Sequence, residues 1–324
     1  MQGGINGTFK SVSVRLCVNA FIFALVFGGA GSTLMFHLVG ENPLFWLLRF
    51  LGEYSSFQYA AICGVWLLVL AVAVPLIKAL STGIGNKVLS RKLFHTLAIT
   101  MFVPVICWYT EFALLAFGVG VCGLLLAEYV RNAPALLPGP SRAISRYYGI
   151  FIDHRDVKRG LVLTHIYLLL GIALPVWLWA VLSGMQERWF ETSGRIDYTQ
   201  SDPRLKLLKH LGWITVGAGD AMGAFVGTYC GRTSWPSRSP STSRTVEGSI
   251  GCFLTMLVCT GGVMGAEGLL DLVGPGWWPA ATISLLLTTM VEAYTIDIDN
   301  LVLPVFSCGI YIVLLQLTTP FPCN

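Results

Sequence analysis

Apolar stretches near the length needed to cross a bilayer recur along almost the whole chain, with polar positions gathered in short clusters between them. The runs occupy about 16–38, 59–77, 93–108, 112–130, 161–182, 210–230, 247–268, 277–294 and 300–319. A membrane-crossing helix needs roughly 20 apolar residues, each advancing ~1.5 Å through a hydrocarbon core about 30 Å thick. The pattern predicts an all-α fold, a polytopic transmembrane helical bundle of about nine spans, the third of them short. The first run reads as a true span or a signal anchor, because no persuasive cleavage site stands near Gly28 to Ser32.

Composition agrees with that pattern. Of 324 residues, 55% are hydrophobic and 12% charged, where soluble domains carry about a quarter charged residues. Mean hydropathy is +0.69, which excludes a soluble enzyme and marks an integral membrane protein. The nine cysteines lie mostly inside apolar runs, with no CxxC and no paired framework, so they read as small buried hydrophobes.

The net charge of +4 matters less than where the cations stand. Lys10 and Arg15 precede the first run, and Lys78, Lys87, Arg91 and Lys92 follow the second. Arg131, Arg142, Arg146, Arg155, Lys158 and Arg159 follow the fourth; Arg232, Arg238 and Arg244 follow the sixth. With nine spans these segments fall on one side, which the positive-inside rule makes cytosolic, together with the N-terminus. The mixed loop at 183–209 departs from this alternation, but long loops weigh little in the rule. Asn6-Gly7-Thr8 fits a glycosylation sequon on the wrong side of the membrane for use, and His37 reads as a packed histidine.

One acid breaks the apolar pattern. Asp220 lies inside the run 210–230, where an Asp costs roughly 2.5–3.5 kcal/mol on insertion scales, so it is a functional-site candidate by default. On an unbroken helix it would stand eleven residues from Gly231, about 16 Å deep, so cytosolic chemistry there requires a broken helix or a wet cleft. Gly219, Gly223, Gly227 and Gly231 recur every four residues on one face, as in small-residue ridges that let helices approach closely. Two nucleotide decoys are set aside: Gly217-Ala218-Gly219 has Met222 where a third glycine belongs, and Gly227 to Thr233 is one residue short of a Walker A, with Arg232 for its lysine.

The loop after this run crowds Arg232, Arg238 and Arg244 around Trp235-Pro236, and closes on Glu247 and Gly248. Arginine forks suit phosphate oxygens; an ordinary positive-inside loop explains the same residues. Glu247 would bind metal or cap the next helix. Glu292 to Asn300, EAYTIDIDN, places acids on the basic side, which calls for a partner such as a divalent cation with oxygen ligands, or else a solvated turn. Upstream, Arg91 and Lys92 stand at a membrane edge with His95 one turn on; they serve either as membrane anchors or as phosphate ligands beside a functional histidine. Glu128 with Arg131 reads as an interfacial pair, and Asp153-His154-Arg155-Asp156 as locally paired charges ahead of His165.

Together RKLFH (91–95), EYVR (128–131), DHRD followed by LTHIYLLLGIALPVWL (163–178), GAGDAMGAFVG (217–227), GRTSWP (231–236), RTVEG (244–248) and EAYTIDIDN (292–300) resemble the dolichol kinases, CTP-dependent polyprenol kinases. Parts of the pattern are shared by other polyprenol kinases and by CTP-dependent cytidylyltransferases. The chain departs from the family in a longer link between Pro236 and Thr245, in Arg244 where lysine is common, and in Asp297 where glutamine is frequent. The resemblance implies a membrane region of unassigned role at 1–85 and a kinase region at 86–324, with a cytosolic nucleotide loop at 231–248.

It further implies CTP as phosphoryl donor, Mg2+, dolichol or another polyprenol as acceptor, surrounding membrane lipid and no nucleic acid, in the endoplasmic reticulum membrane with the site facing the cytosol. By the resemblance, Arg232, Arg244, Arg91 and Lys92 would hold the triphosphate on a loop built from Gly231, Trp235, Thr245 and Gly248. Asp220, Glu247 and Asp299 would hold the metal; Asp220, His95 and Glu247 are the catalytic candidates. The small-residue face of the 210–230 helix would admit the isoprenoid tail. Two alternatives stay open: cytidylyl transfer to a lipid phosphate, and a transporter with Asp220 as its midplane coupling site.

Overall fold

The structure, a computed structural model, describes residues 56–84, 87–135, 137–148, 161–183, 203–236, 244–272, 276–295 and 299–318. The first apolar run, His37, the DHRD cluster, Arg238 and Asp297 lie outside the described residues. Among those described, every regular element is a helix, and the extended pairing is limited to an isolated antiparallel bridge between Ser234 and Thr245. The all-α fold follows from the medium: in hydrocarbon, backbone N–H and C=O groups must be satisfied within the segment.

In chain order the helices are α1 (Ser56–Ile84), α2 (Lys87–Trp108), α3 (Thr110–Arg131), α4 (Pro138–Tyr148) and α5 (Thr164–Leu182). A 3-10 turn at Pro203–Leu207 then leads into α6 (Leu208–Gly212), a π-helical segment (Trp213–Gly219) and α7 (Asp220–Cys230). The last three are α8 (Val246–Ala266), α9 (Trp277–Tyr294) and α10 (Asp299–Thr318).

Five helices among the described residues are long and apolar enough to cross a membrane: Phe57–Leu80, Thr110–Arg131, Thr164–Leu182, Val246–Ala266 and Asp299–Thr318. The expected count of about nine is not reached by that measure. The runs 93–108, 210–230 and 277–294 are helical as expected. However, α2 opens on Lys87, Arg91 and Lys92, the π segment divides 210–230, and α9 carries Ser284, Thr288, Thr289 and Glu292.

The chain divides into two compact units, Met1–Leu68 with Leu125–Val157, and Val69–Leu124 with Lys158–Asn324. In the first, the end of α3 is tied off by its own side chains. Arg131 donates from Nε and Nη2 to the two carboxylate oxygens of Glu128, at 2.8 and 2.6 Å. Asn132 Nδ2 donates to the Glu128 carbonyl at 2.9 Å, and Ser141 Oγ of α4 to the Arg131 carbonyl at 2.8 Å. The bonds from Asn132 and Ser141 satisfy two of the last carbonyls of α3, which have no partner inside the helix.

The second unit is built on two close approaches. Gly212 lies against the backbone of Gly171 and Ile172, and Gly171 in turn against the Asn300 carbonyl, so α6 and the start of α10 both press on α5 where a Cβ would collide. Around this contact Ile172, Val176, Leu208, Leu211, Ile214 and Leu303 are buried. The other approach joins α7 to α8. Gly219 faces Met256 and Cys252, Gly223 faces Cys252 and Gly248, and Gly227 faces Thr245. The small-residue face is therefore filled by a helix of the same chain. This overturns the expectation that an isoprenoid tail enters along it, because small residues serve here to bring two backbones together.

Several buried polar groups inside the unit find partners. Trp277 Nε1 donates to Tyr311 Oη at 2.6 Å, and Tyr311 Oη donates to the Arg204 carbonyl at 2.6 Å. Thr288 and Thr289 donate to carbonyls one turn back, at 2.7 and 2.9 Å.

Candidate functional site

Asp220 opens α7 and is 4% exposed. The π-helical turn ahead of it is the interruption that an acid in this run requires, and such turns in helices gather at functional sites. Thr215 Oγ1 occupies the carbonyls of Leu211 at 2.6 Å and Gly212 at 3.2 Å. Lys92 of α2 forms an ion pair with Asp220. One turn further along α2, His95 Nε2 stands 3.7 Å from Asp220 Oδ2 and 3.1 Å from Asn300 Oδ1. His95 Nδ1 donates to the Arg91 carbonyl at 3.1 Å. With Nδ1 committed to a carbonyl, a proton gained or lost at His95 moves through Nε2, the nitrogen turned toward Asp220.

The network continues through α10. The Asn300 N–H donates to Asp299 Oδ1 at 3.0 Å, and Arg244 Nη2 donates to Asp299 Oδ2 at 3.2 Å. The other guanidinium nitrogen of Arg244 is ion-paired with Glu292, near the end of α9. The first turns of α2 thus reach Asp220 directly through Lys92 and His95. The start of α10, the residue ahead of the α8 cap and the end of α9 join the same network through Asn300, Asp299, Arg244 and Glu292. That convergence resolves the tension over its depth: Asp220 does not stand alone in hydrocarbon but where the polar ends of several elements meet. It also answers the acidic hinge, since Arg244 is the partner of both Glu292 and Asp299.

Arg244 owes its position to the loop. Trp235 N–H donates to the Arg244 carbonyl and Val246 N–H to the Thr233 carbonyl, both at 2.8 Å, which pins 233–235 alongside 244–246. Thr245 caps α8, its Oγ1 accepting from Gly248 N–H at 3.1 Å, the usual work of a threonine in that place. Glu247 accepts the Thr233 N–H on both oxygens, at 3.1 and 3.2 Å. It therefore anchors the GRTSWP turn, and no contact joins it to Asp220 or Asp299 among the described residues. Trp235 donates from Nε1 to Ser249 Oγ at 3.0 Å, and its ring lies 5.8 Å from that of Tyr294. Arg232 and Gly231 are exposed at the outer end of α7.

Of the residues singled out in the sequence, the structure joins Lys92, His95, Asp220, Arg244 and Asp299 in one network, with Arg91 contributing its carbonyl. Arg232, Trp235, Thr245, Glu247 and Gly248 form the adjoining loop and cap. Glu292 and Asn300 belong to the network as well. Both lie in the EAYTIDIDN motif, but nothing in their spacing says which acid turns inward.

A second polar cluster had no signal beyond its place at two run boundaries. Glu267 Oε1 is 2.9 Å from Lys209 Nζ and 2.8 Å from His210 Nε2, and Lys209 Nζ lies 5.3 Å from the Trp179 ring centre. Cys107 completes a triad of metal-ligating types with His210 and Glu267. However, His210 Nδ1 accepts from Trp213 Nε1 at 3.1 Å, so in the neutral ring Nε2 carries the proton and donates to Glu267, which leaves no ring lone pair for a cation. The cluster reads as a buried ion-pair network.

No family model and no solved structure matches the chain. Among curated proteins, dolichol kinase EVAN of Arabidopsis thaliana is 28% identical over 295 residues, covering 90% of this chain and 47% of the relative. Dolichol kinase of Homo sapiens is 28% identical over 275 residues, 83% of this chain and 47% of its own length. Dolichol kinase of Saccharomyces cerevisiae is 26% identical over 223 residues, 68% and 36% respectively. The chain spans about half the length of the curated relatives it matches. Over most of its own length, then, this helical membrane protein is similar to proteins named dolichol kinase from plant, human and yeast.

Proposed function

We propose that this chain phosphorylates dolichol or a related polyprenol, with CTP as phosphoryl donor and Mg2+ as cofactor, at the cytosolic face of the endoplasmic reticulum membrane. The observation that carries the reading is the convergence of Lys92, His95, Asp220, Arg244, Glu292 and Asp299 on one largely buried network in a chain similar to dolichol kinases. Phosphoryl transfer needs positioning and charge neutralisation more than covalent protein chemistry. Two cations and three carboxylates at one place are suited to that task.

Asp220, Glu292 and Asp299 offer hard oxygen donors of the kind Mg2+ takes, so the residues fit the ion. Bound there, it would neutralise charge developing on the phosphates. The chain's own part is distinct. Arg244 presents a planar fork suited to phosphate oxygens and Lys92 a point charge. Arg232, exposed on the turn that Glu247 anchors, extends the cationic surface outward. The acceptor hydroxyl would lose its proton to Asp220 or to Nε2 of His95, whose lone pair would take the hydroxyl in place of its present contact with the Asn300 amide. The tail would lie in lipid against exposed apolar side chains such as Met222 and Phe225 of α7.

The test supplies purified protein in detergent with Mg2+, dolichol and CTP labelled on the γ-phosphate. Label in a chloroform-soluble lipid, with CDP formed, supports the kinase. Label released as pyrophosphate only when a lipid phosphate is supplied moves the assignment to cytidylyl transfer, and no transfer to either lipid overturns both.

A further inference from the structure

The cations and carboxylates of the Asp220–Arg244 network are already paired with one another. Lys92 is held by Asp220, and Arg244 is held from two sides, by Glu292 at the end of α9 and Asp299 at the start of α10. The side chains of Asp220 and Glu292 are only 5% and 9% exposed, and that of Arg244 23%. In such surroundings an ion pair is screened weakly by water, and breaking it without replacement leaves a buried charge uncompensated. A triphosphate arriving alone would compete with three carboxylates for two cations; a divalent cation arriving alone would compete with two cations for the carboxylates.

We propose that Glu292 and Asp299 form a latch on Arg244, so that nucleoside triphosphate and divalent cation enter by exchange: phosphate oxygens take Arg244 and Lys92 while the cation takes the carboxylates released. The inference rests on the kinase reading and goes beyond it, because it assigns Glu292 a role and makes the two ligands depend on each other. The latch joins the two ends of the α9–α10 connection to the residue ahead of the α8 cap. Linkage requires that whatever factor the cation contributes to nucleotide affinity, the nucleotide contributes to cation affinity.

The experiment measures binding, not turnover, on the purified full chain. CTP affinity is followed by equilibrium dialysis in EDTA and in Mn2+, and Mn2+ affinity by electron paramagnetic resonance with and without CTP. Wild type should bind CTP weakly in EDTA and far more tightly with Mn2+. Glu292→Gln and Asp299→Asn, which release Arg244 from one side each, should bind CTP in EDTA about tenfold more tightly than wild type, with the Mn2+-linked gain reduced by a similar factor. Gel filtration and thermal unfolding confirm that each variant is folded; two independent variants guard against one that is not. Metal-free affinity unchanged or weakened in both folded variants, with wild type still binding CTP in Mn2+, overturns the latch and leaves the kinase reading standing. Absence of CTP binding by wild type even with Mn2+ overturns the nucleotide reading, and the latch with it.

Discussion

Lys92 and Asp220, 128 residues apart in the chain, form an ion pair with side chains 11% and 5% exposed. Removing one partner from such a pair strands the other charge, at a cost of about 3–5 kcal/mol, whereas replacing both is far milder. Lys92→Met and Asp220→Asn should therefore each destabilise the protein strongly, since asparagine offers the buried ammonium only a neutral partner. The double variant should regain much of the loss. Thermal unfolding of the four proteins in detergent gives the coupling directly. All three variants should be inactive in the labelled-CTP assay; a double variant as active as wild type would remove both residues from the site.

His95 and Asn300 share a bond at 3.1 Å, and His95 Nδ1 is engaged by the Arg91 carbonyl. If proton transfer passes through Nε2, His95→Ala should lower kcat by about 100-fold or more. Asn300→Ala leaves the imidazole in place but less well oriented. Its loss should be smaller, and the pH–rate profile should keep its shape while the plateau falls. A flat response of kcat to His95→Ala would assign proton transfer to Asp220 alone.

The close approach of Gly171 to the Asn300 carbonyl makes a remote residue part of the site's geometry. A methyl group added there collides with backbone, which cannot swing aside as a flexible side chain would. Gly171→Ala should cost about 1–3 kcal/mol of stability, as overpacking does, and should lower kcat by shifting Asn300 away from His95. Gly309, also on α10, has open space where a Cβ would stand; Gly309→Ala is the matched control and should leave both properties near wild type.

The helical class and the long apolar helices among the described residues were legible because burial in lipid imposes long apolar runs, whereas the short polar α4 carried no such signal. Asp220 was legible for the complementary reason, as a charge where none is expected. The pairing of Arg244 with Glu292 and Asp299 was half visible, as an acidic hinge in want of a partner. The sequence alone leaves a divalent cation or a solvated turn open there, because sequence order gives no hint that a residue from the 231–248 loop reaches that hinge. The glycine row at 219–231 was read correctly as a packing face. Its occupant was misjudged, since a groove for a lipid and a groove for a helix carry the same small residues. Asn300 was legible beside Asp299 in the motif that carries the resemblance, whereas Glu292 was hidden by helical phase at a hinge, where periodicity gives no inward direction. Lys209, His210 and Glu267 were hidden because residues at the ends of apolar runs are ordinarily solvated.

That last cluster gives a prediction separable from catalysis. Glu267 accepts from both Lys209 and His210, and Lys209 is only 5% exposed, with its ammonium near the Trp179 ring. Glu267→Gln would leave the lysine charge with a neutral partner inside the protein, and the expected loss is about 3–5 kcal/mol. Lys209→Met together with Glu267→Gln removes the charge and its counterion at once and should recover most of the stability, because the methionine stem keeps the contact with Trp179. Neither change touches the Asp220 network. The double variant should therefore unfold near the wild-type temperature and transfer label at a near wild-type rate. If it folds but loses transfer, the cluster would act on the reaction from a distance, and its reading as a structural ion-pair network would have to be abandoned.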